Sequence, residues 1–152
     1  MASGKAHAKA SCIISIPAGL VVGISLSSVP YGIGAAIGSV LGIALTPDLD
    51  QEMTTFFEWK LIRKTGPLGF LWMAFWAPYS LLIPHRSFWS HFPIIGTLIR
   101  LLYITMPTIA FCLWKGYTPN PPQYIIDALI GALIGLAASD ILHWFMDSCC
   151  LL

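Results

Sequence analysis

His85-Arg86-Ser87-Phe88-Trp89-Ser90-His91 holds two of the four histidines in this 152-residue chain. The stretch lies between two apolar segments, about Gly66–Pro84 and Phe92–Trp114. The remaining imidazoles, His7 and His143, also stand where apolar runs begin or end, and so do Asp48, Asp50, Asp140 and Asp147. Polar groups that gather at the ends of apolar runs meet only if those runs are helices whose ends converge. The motif therefore argues for an all-α, polytopic membrane bundle with a metal-binding cluster at one face.

Composition supports that solvent. The chain is 57% hydrophobic and 10% charged, with a mean hydropathy of +0.77, whereas a soluble domain carries about 25% charged residues. A globule so poor in charge would expose large apolar patches to water. A formal charge of +1 gives no basic surface for nucleic acid. A span needs roughly 20 apolar residues, so roughly four or five fit into one domain over 1–152.

Outward from the motif, apolar segments run over about Ser11–Ser28, Gly32–Leu45, Gly66–Pro84, Phe92–Trp114 and Tyr124–Phe145. The run after the polar leader has no A-x-A-like cleavage site, so it reads as a retained helix. The second segment stops at Thr46-Pro47-Asp48-Leu49-Asp50, where proline turns the chain. Residues 53–64 place Met53, Phe56, Phe57 and Leu61 on one helical face and Trp59, Lys60, Arg63 and Lys64 on the other, the pattern of an interfacial helix. Pro67, Pro78 and Pro84 interrupt the third segment, which predicts a broken or re-entrant piece. Two small-residue stripes, Gly34/Gly38/Gly42 and Ala128/Gly131/Gly135/Ala138, allow close helix approach. They would suit either a homo-oligomer or a larger membrane complex.

Charge then chooses a topology. If all five segments crossed, about 30 Å of hydrocarbon would separate His7 from the 85–91 motif. If the third does not cross, four transmembrane helices bring the histidines to one face, together with Lys5, Lys9, Lys60, Arg63, Lys64 and Arg86. Lys115 stays opposite. By the positive-inside rule that face and both termini are cytoplasmic.

Asp140, His143 and Asp147 share one helical face at offsets of three and four. Such groups on an apolar helix are costly in lipid. Imidazole and carboxylate donors suit zinc first, with manganese, iron or magnesium as the other hard or borderline ions. The expected ligand set is His7, Asp48, Asp50, His85, His91, Asp140, His143 and Asp147, enough for two ions. Asp50 or Asp147 would serve as general base. Arg86, between the motif histidines, would recognise a phosphoryl group or instead pair with Asp48 or Asp50. Asp48 and Asp50 after Pro47 also suit a helix cap. Cys12 and Cys112 lie in apolar runs. Cys149-Cys150-Leu151-Leu152 has only the form of a lipidation box.

Taken in order, Ser3-Gly4-Lys5-Ala6-His7, Leu45-Thr46-Pro47-Asp48-Leu49-Asp50, Pro84-His85-Arg86-Ser87-Phe88-Trp89-Ser90-His91 and Asp140-Ile141-Leu142-His143 with Asp147 resemble a family of small metal-binding membrane proteins of unknown function. That family is common in cyanobacteria and distantly similar to the YdjM-type predicted metal-dependent membrane hydrolases. The resemblance covers nearly the whole chain. It implies a metal and, by analogy, hydrolysis. A cavity open to the interface suggests a lipid-like phosphoester as substrate. A metal-stapled subunit or assembly factor is the alternative. A metal-ion or proton transporter ranks third, because the acids cluster near one face rather than along a pathway.

Overall fold

The computed structural model describes residues 3–51 and 54–149, and every regular element among them is helical. Helix α1 spans Gly4–Ser25, α2 Val29–Leu41, α3 Phe56–Thr65, α4 Pro67–Leu82, α5 Phe88–His91, α6 Pro93–Lys115 and α7 Gln123–Cys149, with a 3-10 turn over Pro47–Asp50. α1, α6 and α7 are long and apolar enough to cross a membrane.

Local chemistry sets the ends. The Ser3 hydroxyl accepts from the Ala6 N–H at 3.3 Å, so α1 begins early enough to carry His7. Prolines stand in the first turns of α2, α4, α6 and the 3-10 turn, where a missing N–H costs nothing. Thr55 and Glu58 form a reciprocal capping box at α3. Gly116 closes α6 in the left-handed region at φ 63°.

Three expectations change. α2 is 13 residues and ends at Leu41, about 20 Å of helix. The apolar stretch that follows it conceals a turn, so four full-length spans are not what the helices provide. The third segment is not broken: α4 is continuous over 67–82 with Pro78 inside it. The interfacial helix begins at Phe56 rather than residue 53, and Met53 lies outside the described residues.

The largest helix–helix contact joins α2 to α7. A Cβ on Gly34 would strike the Ala128 backbone, one on Gly38 the Ala132 backbone, and one on Gly135 the Ala35 carbonyl. Partner numbers rise together, so the two helices run parallel and end at the same place. The small-residue stripes are thus filled by each other within one chain. α1 lies antiparallel to both, with Gly19 and Gly23 against Gly32 and Ser11 Oγ 2.7 Å from Ser139 Oγ.

α6 joins α7 through Arg100, whose guanidinium donates to Asp140, and through Thr97, which donates to the same carboxylate oxygen. α4 packs Trp72, Phe75, Trp76 and Tyr79 against Tyr103 of α6 and against Leu45 and Leu49 around the 3-10 turn. The Tyr103 hydroxyl donates to the Phe75 carbonyl at 2.7 Å. The start of α1, the end of α2, the start of α6 and the last turns of α7 consequently meet at one end of the bundle.

Candidate metal centre

That end collects the imidazoles and carboxylates. α1 supplies His7, the 3-10 turn Asp48 and Asp50, the 85–91 segment His85 and His91, and α7 His143 and Asp147. His143 Nε2 lies 3.6 Å from Asp48 Oδ1 and 3.5 Å from Asp147 Oδ2. His91 Nε2 lies 3.9 Å from the same Asp48 oxygen. His7 Nε2 is 3.2 Å from Asp147 Oδ1, and its ring stacks on His143 with centroids 3.8 Å apart.

Two ligand groups result: Asp48 with His91 and His143, and His7 with His143 and Asp147, each within 4.8 Å. His143 belongs to both. A ring nitrogen binds one ion at a time, so a two-ion site would have to divide this set.

The donors fit a divalent cation. Zinc bonds of about 2.0–2.2 Å put tetrahedral ligand atoms roughly 3.3–3.6 Å apart, close to the observed spacings. Among the described residues, His91 Nε2, His143 Nε2 and His7 Nδ1 are buried without a hydrogen-bond partner. Buried polar atoms are almost always satisfied, and a cation would satisfy the first two together.

Asp50 is fully buried and orients other residues. Its Oδ1 accepts from His85 Nδ1 at 2.7 Å, and its Oδ2 accepts from the Arg86 backbone N–H at 2.9 Å. The same Oδ2 stands 3.3 Å from His91 Nδ1, which also meets Ser90 Oγ at 2.9 Å. A carboxylate on Nδ1 fixes the tautomer and turns Nε2 outward, the usual support for a ligating histidine.

The charges reinforce one another. Burial drives the Asp48 carboxyl up, but the neighbouring His143 and His91 imidazoles and their charge outweigh it and hold the group well below the carboxylate range. Asp50 is lowered likewise, burial being overcome by His91, Ser90 and His85. Burial lowers His91, yet its two carboxylate neighbours raise it to about 9. Without a cation, His91 therefore carries the compensating charge.

Four expected site residues lie outside both ligand groups: Asp50 and His85, which pair with each other, and Asp140 and Arg86. Asp140 is fully buried against Arg100 and Thr97 and belongs to neither ligand group. Arg86 has an exposed side chain, a backbone φ of 58°, and touches Asp50 through its N–H. Sequence reasoning missed Arg100, which also donates through Nη1 to the Ser90 carbonyl at 3.1 Å and so ties Asp140 to the residue before His91. An arginine alone in an apolar run was the available signal. Such a residue needs a buried acid.

A family model described as "Uncharacterized metal-binding protein (DUF2227)" matches residues 2–150. The chain belongs to this family. In this DUF2227 member, His and Asp side chains from α1, the 3-10 turn, the 85–91 segment and α7 converge into two groups with the spacing to hold a metal ion. No curated protein and no solved structure matches the chain.

Proposed function

We propose that this protein is a membrane-embedded metal-dependent hydrolase of a lipid-like phosphoester, with zinc as its cation and the site on the cytoplasmic face. The observation that carries the reading is the Asp48–His91–His143 group. Catalytic zinc sites hold three protein ligands and keep one position open. A bound cation there supplies a Lewis acid that lets water act as a nucleophile at neutral pH and polarises a phosphoryl oxygen. Asp50 holds His85 and His91 in their tautomers. Asp147, whose oxygens lie beside His7 and His143, would accept the proton released by a water activated there. Arg86, exposed at the rim, binds the phosphoryl oxygens. The cluster of Lys5, Lys9, Lys60, Arg63, Lys64 and Arg86 supports a cytoplasmic site, with α2 as a short fourth crossing beside α1, α6 and α7.

A metal-stapled subunit or assembly factor is the second reading. It is favoured by the void beside His7, Asp48 and His143, which holds only about 20 Å³, room for roughly one water-sized probe. Donors from four separated parts of the chain also suit a staple.

One assay set separates the two: metal content of purified protein, with hydrolysis of phosphoester, carboxyl ester and amide panels in detergent. The enzyme reading expects His91→Ala and His143→Ala to lose metal, and Arg86→Ala to keep metal while turnover falls. Fully loaded protein that hydrolyses nothing would establish the staple. If Arg86→Ala sheds metal, the side chain supports the centre itself, and the phosphoryl role falls.

A further inference from the structure

Beside the metal centre, on the other flank of α1, a groove of about 580 Å³ opens between α1 and α3. Lys5 and Lys9 come to it from successive turns of α1, and Lys60 and Lys64 from successive turns of α3. Among the described residues, no carboxylate lines it. Lys60 Nζ lies 5.1 Å from the Phe56 ring centroid. Its ammonium is therefore held over the apolar wall instead of reaching away. Past Lys9 the wall becomes Cys12 and Ile13 of α1, with Ile43 and Leu61 opposite. Along α1 the groove wall is thus cationic where the helix begins, at Lys5 and Lys9, and apolar beyond, at Cys12 and Ile13, with Lys60 and Lys64 facing in from α3.

Four cations with no carboxylate among the described lining residues, set around an apolar trough, match one kind of molecule: an anion that continues into hydrocarbon. We propose that this groove binds an anionic phospholipid, with its phosphate among the four lysines and an acyl chain along Cys12, Ile13 and Ile43. Lysines act as point charges toward phosphate, and juxtamembrane lysines are drawn to anionic headgroups. A second copy of the chain would have to bring acidic residues. The exposed faces of its long helices are instead apolar, as Ile16, Leu20, Ile24 and Leu102 show. The proposal stands whether or not the metal centre is catalytic. Its geometric link to that centre is the wall shared with the small void: Ala8, Ile43, Phe56 and Phe57 line both.

Cys12 is an exposed thiol inside the groove, whereas Cys112 lies on α6, outside it. The test follows N-ethylmaleimide labelling of the full chain in detergent micelles, read peptide by peptide by mass. The micelles are doped with phosphatidylglycerol or with phosphatidylcholine. Phosphatidylglycerol should slow Cys12 labelling several-fold relative to phosphatidylcholine and leave Cys112 unchanged. The quadruple Lys→Gln variant at 5, 9, 60 and 64 should lose that difference while retaining wild-type metal content, which certifies its fold. Equal protection by the two lipids overturns the proposal, as does headgroup discrimination that survives in the variant. Equal protection by inorganic phosphate alone would assign the lysines to a free anion and sink the lipid assignment. Protection that follows protein concentration would assign the groove to a second copy.

Discussion

His143 is common to both ligand groups, which makes it the most sensitive single position. His143→Ala breaks both groups and should remove bound metal, while His7→Ala leaves Asp48, His91 and His143 in place and should only weaken binding. Elemental analysis after dialysis against metal-free buffer distinguishes the two. His91 sets the pH dependence. With its pKa raised from 6.5 to about 9, it must release a proton before Nε2 can bind an ion. Apparent metal affinity should therefore rise with pH, roughly tenfold per unit for each displaced proton, and level off near pH 9. A flat profile would show that His91 is not a ligand. In metal-free protein the same shift works on stability. It is fully present below pH 6.5 and lost as pH rises through about 9. Asp48 and Asp50 act oppositely: their lowered values stabilise the fold above the ordinary 3.8 and that stabilisation is lost in acid.

Asp140 gives the reason part of the site escaped the sequence. An offset of three from His143 does place it on the same side of α7, and one-dimensional spacing could not tell ligand from ion-pair partner. The deciding residue, Arg100, comes from another helix. Asp140→Ala should leave that guanidinium buried and unpaired and destabilise the protein by about 3–5 kcal/mol. The double variant Arg100→Met/Asp140→Leu should recover much of the loss in a denaturation midpoint measured in detergent. The histidines were legible because imidazoles are scarce here and each sits at the end of an apolar run. Asp50 was read as a ligand or base, yet its role as the support for two imidazoles depends on a 35-residue separation closed by folding.

At the scale of elements, the α2–α7 seam positions the centre, since Asp48 follows α2 and His143 lies on α7. Gly38→Ala or Gly135→Ala inserts a methyl into facing backbone, which should cost about 1–3 kcal/mol and lower metal affinity with it. Gly116→Ala is the contrast. Its φ of 63° is strained for alanine and a Cβ there meets nothing within 4 Å, so it should cost about 1 kcal/mol and leave metal affinity alone. Thermal midpoints and metal titrations on the three variants check this. The stripes announced close approach in the sequence, but not that each was the other's partner. Proline positions were legible in the same partial way. Those in first turns mark helix starts, while Pro78 is tolerated inside α4.

At the scale of the whole molecule, the convergence of helix ends fixes a topology that labelling can read. Single cysteines replacing Ser3, Thr65 and Ser87 should react from one side of the membrane, and those replacing Ser27 and Gly116 from the other. α4 has 16 residues, about 24 Å of helix, short of the ~30 Å core. If Thr65→Cys reacts with the Ser27 side, α4 crosses after all.

His7 and Asp147 meet across 140 positions of sequence. A ribosome adding about 5–20 residues per second makes the second partner roughly 7–28 s after the first. During that interval α1 is in place and its imidazole has nothing to share. The proposed metal centre therefore completes only after α7 has been made. A chain arrested before α7 lacks His143 and Asp147, and metal occupancy would mark the molecules in which α7 is in place.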